Sequence, residues 1–265
     1  MEDNFDAEAA RKLIEADNIN VTEKNPLGEL FKILTGLAVT LVSVYLFVFI
    51  VSGIVLTNLP ADKRSNIEEY LTKTNKQIPV ELSKKDKSRI ERVKHNILKA
   101  DKNFPKSAKL EINVVKSKDI NAFSYPNGNI DITEPLFKEL KTDEELTFIL
   151  AHEMGHYKHK DHLMHLRRNI ANGTTIILFS IFNPNGNINT VASSGLELSD
   201  LSFSRQDETN ADKYAIEMMN KIYGNAKAGI RVMEILKEKN KFNIEFLSTH
   251  PDLDRRIKHI EQMTK

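Results

Sequence analysis

The sequence predicts an α+β fold: a mainly helical domain with a small β-sheet, preceded by one N-terminal transmembrane helix. Three observations carry this. Residues 33–56 hold no charged side chain. Between residues 110 and 133, short apolar runs alternate with polar residues and meet at a turn. From Thr142 onward, apolar residues recur at helical spacing.

The apolar run 33–56 is long enough for a bilayer core, which takes about 20 residues of helix. A cleaved leader has a short basic start, whereas the roughly thirty residues before this run are rich in Asp and Glu. The run reads as an uncleaved anchor giving a single-pass membrane protein. Lys24 and Lys32 before it balance Lys63 and Arg64 after it, so the side of the membrane is not assigned. The chain divides into a polar tail (1–32), the anchor (33–56), a stalk (57–83) punctuated by Pro60 and Pro79, and a folded domain (84–265). A formal charge of +1 gives no reason to expect a nucleic-acid partner. The absence of cysteine excludes disulfides, thiolate nucleophiles and thiolate metal sites.

Within the domain, Ile90, Val93, Ile97 and Leu98 form one face of a helix over 84–103. Leu110, Ile112 and Val114 alternate with their neighbours as a strand does. Asn127-Gly128 lies between two short apolar runs, the signal of a hairpin. Thr142 and Glu145 form a capping box at a helix start, with Leu146, Ile149 and Leu150 as that helix's apolar face.

That helix continues as His152-Glu153-Met154-Gly155-His156. Histidines at i and i+4 stand one turn apart on one face, so both imidazoles reach the same ion. Glu153 lies beside the first histidine, where its carboxylate can take a proton from a metal-activated water. The motif arises by chance in very roughly one chain in a hundred of this length. The nearby His159, His162 and His165 leave room for a plain His-rich surface helix, so a third ligand decides. Residues 204–212 supply it: Glu208 and Asp212 share a helix face, and Ala211 and Ala215 allow close helix approach. Glu208 completes a two-histidine, one-carboxylate site with an open fourth position for one Zn2+ per chain. Asp212, one turn on, can accept a ligand histidine's other N–H. The rival ligand, Asp207, projects about 100° away from Glu208.

Four segments then resemble the M48 family of zinc peptidases, which includes Ste24-like and HtpX-like enzymes. They are Asn121-Ala122-Phe123, His152 to His156, Ser204-Arg205-x-x-Glu208-x-x-Ala211-Asp212, and Ser248-Thr249-His250-Pro251 with Arg256-Ile257. The resemblance implies a gluzincin domain with endopeptidase chemistry on peptide, unfolded or membrane-protein substrates, on a branch with a single anchor. It implies that Asn121, Ala122 and Phe123 form the strand edge that pairs with an extended substrate. It also implies that His250 donates to the developing oxyanion, with Arg256 as second candidate, at the start of a helix running through Leu253, Ile257 and Ile260. The biological setting expected is membrane or envelope protein quality control. The rival function is a zinc-stabilised, membrane-tethered protein that holds clients without cutting them; retention of Glu153 argues against it. The interval 166–203 carries the apolar run Ile176–Phe182 and the turn Asn183-Pro184-Asn185-Gly186. It reads equally as a lid, an interfacial element or a core helix.

Overall fold

In a computed structural model of the chain, residues 8, 11–12, 25–58, 78–182, 203–239, 250 and 252–263 are described. The chain divides into two compact units, Met1–Phe47 and Val48–Lys265. The division falls inside the first long helix, α1 (Pro26–Asn58), which contains the whole charge-free run and is long and apolar enough to cross a membrane. Its side chains are mostly exposed. Most of the expected stalk (59–77) lies outside the described residues; its last part, around Pro79, pairs antiparallel with Val115.

The second unit builds the domain. Helix α2 (Lys84–Ala100) starts on Ser83, whose hydroxyl accepts from the Asp86 N–H, and buries Ile90, Val93 and Ile97. A three-stranded sheet follows: β1 (Ile112–Val115), β2 (Ala122–Ser124) and β3 (Ile130–Thr133), in the order β1-β3-β2. β1 runs parallel to β3, and β2 runs antiparallel to it. The β2–β3 turn uses Gly128 at φ +88, where a side chain would be strained and its Cβ would meet the Ala108 Cβ at 2.8 Å. A short α3 (Glu134–Glu139) leads to α4 (Asp143–His159), then α5 (Asp161–Phe182), α6 (Arg205–Tyr223), α7 (Lys227–Lys239) and α8 (Leu253–Met263). The domain is thus mainly helical with a small sheet. Ile176–Phe182 is the last part of α5, while the turn Asn183–Gly186 lies outside the described residues.

Helix α4 is the axle of the domain. The capping box is present: the Thr142 hydroxyl accepts from Glu145 N–H, and the Glu145 carboxylate accepts from Thr142 N–H. Arg89 locks this start from α2, donating to Asp143 at 3.1 Å and to the Leu140 and Thr142 carbonyls. The single apolar face expected here understates the result. Every residue from Glu145 to His156 is buried. The reason is tertiary, because α2, α5, α6, α7 and the sheet all pack on α4. A helix surrounded in this way has no solvent face, so its polar residues must be either paired or functional. Helix α6 approaches closely: a Cβ added at Gly155 would lie 3.1 Å from the Ala211 Cα and 3.4 Å from its carbonyl oxygen.

Candidate metal centre

Helix α4 delivers His152, Glu153 and His156 to one buried point. It ends at Lys160, which takes a left-handed conformation (φ 61) and caps the His156 and Tyr157 carbonyls. That reversal brings Asp161 back under the helix end, where its carboxylate accepts from His156 Nδ1 at 2.9 Å. Helix α6 delivers the carboxylates. Ser204 caps it, and Asp207 is spent reciprocally on the Ser204 N–H at 2.9 Å and on Arg168 at 3.1 Å. The rival ligand is therefore a capping residue. The next position, Glu208, faces α4 and is only 1% exposed.

The donor geometry suits a tetrahedral ion. Zinc–imidazole bonds of about 2.0–2.1 Å put ligand atoms about 3.3–3.4 Å apart. His152 Nε2 lies 3.1 Å from His156 Nε2. Glu208 lies 3.3 Å from His156 Nε2 and 3.6 Å from His152 Nε2. Both rings are held in one tautomer by carboxylates behind them. Asp212 stands 3.0 Å from His152 Nδ1, and Asp161 does the same job for His156. Each Nδ1 donates backwards, so each Nε2 presents a lone pair to the shared point. Glu208 turns Oε1 toward His156 Nε2 and Oε2 toward His152 Nε2. Three lone-pair atoms converging in a buried pocket repel one another unless a cation or proton sits between them, and this donor set fits zinc.

His250 joins this cluster. It is fully buried, its Nδ1 lies 3.0 Å from Glu208 Oε1, and with His152, His156 and Glu208 it offers ligand atoms all within 4.8 Å of one another. Its Nε2 is 3.7 Å from Glu153 Oε1. The residue expected to donate to an oxyanion therefore stands where it can also reach the ion. Pro251 lies outside the described residues; α8 starts at Leu253, after Asp252 at φ 70. Arg256 is committed to the acidic residues. It donates from Nε and Nη2 to Asp212 at 2.8 and 2.7 Å, and its Nη1 stands 2.5 Å from Glu208 Oε2.

These charges explain the titration of the centre. Burial opposes the charged form of Asp212, but Arg256 and His152 outweigh it and hold its carboxyl down at about 2. Burial likewise opposes charge on His156, and the carboxylates of Asp161 and Glu208 reverse the balance and raise it to about 10. His152 goes the other way: burial, followed by the Arg256 charge, pushes it down despite Asp212. A proton at this centre therefore sits on His156 before His152.

The strand expected to meet substrate is β2, an edge of the sheet among the described residues. Thr133 N donates to the Asn121 carbonyl and Tyr125 N to the Asn129 carbonyl, so residues 121 and 125 bond across to β3. By antiparallel alternation, the backbone groups of Ala122 and Ser124 face away from β3. The Ala122 N–H is covered by the Asn121 side chain at 2.9 Å. Phe123 is half-buried on the opposite face, edge-on to Tyr125.

Sequence reasoning missed Asp161, Ser124 and His162. Asp161 lies two residues beyond the end of α4, but the turn that brings it back to His156 has no signature in the sequence. Ser124 carries no signal either: its hydroxyl donates to Glu153 Oε2 at 2.9 Å from a strand 29 residues away.

Comparison with known proteins agrees with this geometry. Residues 83–264 match Peptidase family M48. The chain is 28% identical over 168 residues to the mitochondrial metalloendopeptidase OMA1 of Saccharomyces cerevisiae, covering 58% of this chain and 47% of that protein. It is 27% identical over 195 residues to the mitochondrial metalloendopeptidase OMA1 of Bos taurus (66% and 36%). It is 25% identical over 156 residues to the beta-barrel assembly-enhancing protease of Yersinia pestis (54% and 32%). The matched part thus spans less than half the length of these relatives. With the family match covering most of its length and the buried His-Glu cluster inside the matched region, the chain belongs to peptidase family M48.

Proposed function

We propose that the chain is a zinc-dependent endopeptidase held to a membrane by α1, with His152, His156 and Glu208 as metal ligands and Glu153 as general base. The observation that carries this reading is the pair of backed histidines. Asp212 and Asp161 orient two imidazoles so that both Nε2 atoms and Glu208 converge within 3.1–3.6 Å. A binding protein has no use for an acid beside that point, yet Glu153 is buried at 1% exposure with one oxygen tied to Ser124. Zinc bound there would lower the pKa of water to about 7 and polarise the scissile carbonyl. Glu153 Oε1 is then the oxygen left to take the water's proton and pass it to the leaving amine. Arg256 holds Asp212 and Glu208 in place. β2 offers the outward backbone groups of residues 122 and 124 to an extended peptide, which gives affinity without reading side chains. His250 is the remaining donor at the centre, placed to stabilise the carbonyl oxygen as charge develops on it.

A relative named for enhancing β-barrel assembly supports quality control of membrane or envelope proteins as the setting, with unfolded or misassembled chains as substrates. The length and apolarity of α1 support single-pass anchoring. The test is cleavage of casein by the full chain in detergent. Activity lost to a chelator and restored by one equivalent of zinc supports the reading. Cleavage indifferent to the chelator, or none in the zinc-loaded protein, contradicts it.

A further inference from the structure

The Glu153 carboxylate has two oxygens, and proton transfer needs only one. The other, Oε2, accepts from Ser124 Oγ at 2.9 Å, and Ser124 Oγ lies 3.1 Å from His162 Nε2. All three residues are buried, at 1%, 3% and 5% exposure. They come from α4, β2 and α5, so the contact ties three elements at the reacting group.

The direction of each hydrogen bond follows from counting protons. A carboxylate only accepts, so the single hydroxyl proton of Ser124 goes to Glu153. Ser124 Oγ must then accept from His162, which fixes the proton on Nε2 and leaves Nδ1 bare. That Nδ1 is buried and has no hydrogen-bond partner among the described residues. An N–H in that position would be an unmet donor, whereas a lone pair is the lesser loss for a ring whose proton is used elsewhere. The ring is further held edge-on to Phe203, with centroids 5.2 Å apart. Burial, followed by neighbouring imidazoles, keeps it neutral.

We propose that Ser124 and His162 are positioning residues for Glu153: His162 orients the Ser124 hydroxyl, and that hydroxyl pins one carboxylate oxygen so that the other faces the attacking water. The proposal rests on the reading of Glu153 as general base. A glutamate on a helix has three rotatable bonds, and without this clamp its carboxylate rotates among several placements. The clamp sits on the edge strand β2, so the same residue that holds the base also borders the substrate's path.

The test uses the full zinc-loaded chain in detergent. Ser124→Ala should lower kcat roughly ten- to a hundredfold, the rate equivalent of one hydrogen bond to a charged group, with KM and metal content unchanged. Ser124→Thr, which restores the hydroxyl, should recover most of the rate. His162→Gln keeps an N–H near the Nε2 position and should stay close to wild type, whereas His162→Phe should not. The double variant Ser124→Ala/His162→Phe should be no slower than Ser124→Ala, because the two residues act through one contact. A second readout does not depend on turnover. In 15N-histidine NMR spectra, the His162 resonances, assigned by their loss in His162→Gln, should report the Nε2–H tautomer and should shift in Ser124→Ala. An Nδ1–H tautomer, a spectrum indifferent to Ser124→Ala, or a wild-type kcat in that variant overturns the proposal. A chain that cleaves nothing in any form, yet shows the Nε2–H tautomer and its response, upholds the clamp and refutes the peptidase reading instead.

Discussion

Gly155 sits in the turn between His152 and His156, against α6, and Gly155→Ala probes how tightly the centre is built. In an isolated helix this change stabilises by about 1 kcal/mol, because glycine loses more backbone freedom than alanine on folding. Here the new Cβ would lie 3.1 Å from the Ala211 Cα, 3.3 Å from a Tyr214 ring carbon and 3.4 Å from the Ala211 carbonyl oxygen. Two of those three atoms are backbone and cannot rotate away, so α6 must yield by a few tenths of an ångström. Overpacking of this kind costs about 1–3 kcal/mol. The net effect is a loss of up to about 2 kcal/mol, read as a Tm lowered by about 2–4 °C per kcal/mol in a domain of this size. The displacement also carries Glu208, one turn before Ala211, away from the two imidazoles, and kcat/KM should fall by roughly tenfold. Thermal unfolding and peptide hydrolysis of the same preparation measure both. A Tm that rises by several degrees with turnover intact would mean instead that α4 and α6 have room between them.

Three further outcomes follow from the same geometry. Asp212→Ala leaves the buried Arg256 guanidinium without its main partner and should destabilise the domain by about 3–5 kcal/mol in chemical denaturation; Asp212→Ala/Arg256→Met should recover much of that loss. After chelation, His156 keeps its proton up to about pH 10, so metal binding must displace it, and apparent zinc affinity should rise between pH 6 and pH 8 by up to about tenfold per unit in a competition titration; a flat profile would remove His156 from the ligand set. Ala122→Pro removes an outward-facing N–H that belongs to no sheet hydrogen bond, so KM for extended peptides should rise while fold and zinc content persist; unchanged KM would mean that substrate does not pair with β2.

The elements that the sequence disclosed are those whose signals are local. The charge-free run, the Thr142–Glu145 capping box, the Asn127-Gly128 turn and the i, i+4 histidines each lie within one element, and each stands in the structure as expected. That Glu208 and Asp212 share a helix face was legible from their spacing of four, and both are buried on α6. What escaped depends on chain reversals and distant contacts. Asp161 returns to His156 only because Lys160 adopts a left-handed conformation, which no lysine announces. His250 meets Glu208 across 42 residues, and Arg256 meets Asp212 across 44, so neither pairing leaves a trace in spacing. His162 read as one of several histidines on a polar stretch, whereas the packing of α5 turns it inward against Ser124.

In the proposed mechanism Glu153 moves the proton at a metal centre that it does not help to build. The most direct measurement pairs metal analysis with turnover in Glu153→Gln, an isosteric change that keeps the side chain's reach and one oxygen. Both proteins should bind about one zinc per chain, with peptide hydrolysis reduced at least a hundredfold in the variant because an amide accepts no proton from water. Hydrolysis at the wild-type rate in a zinc-replete Glu153→Gln protein would contradict this mechanism.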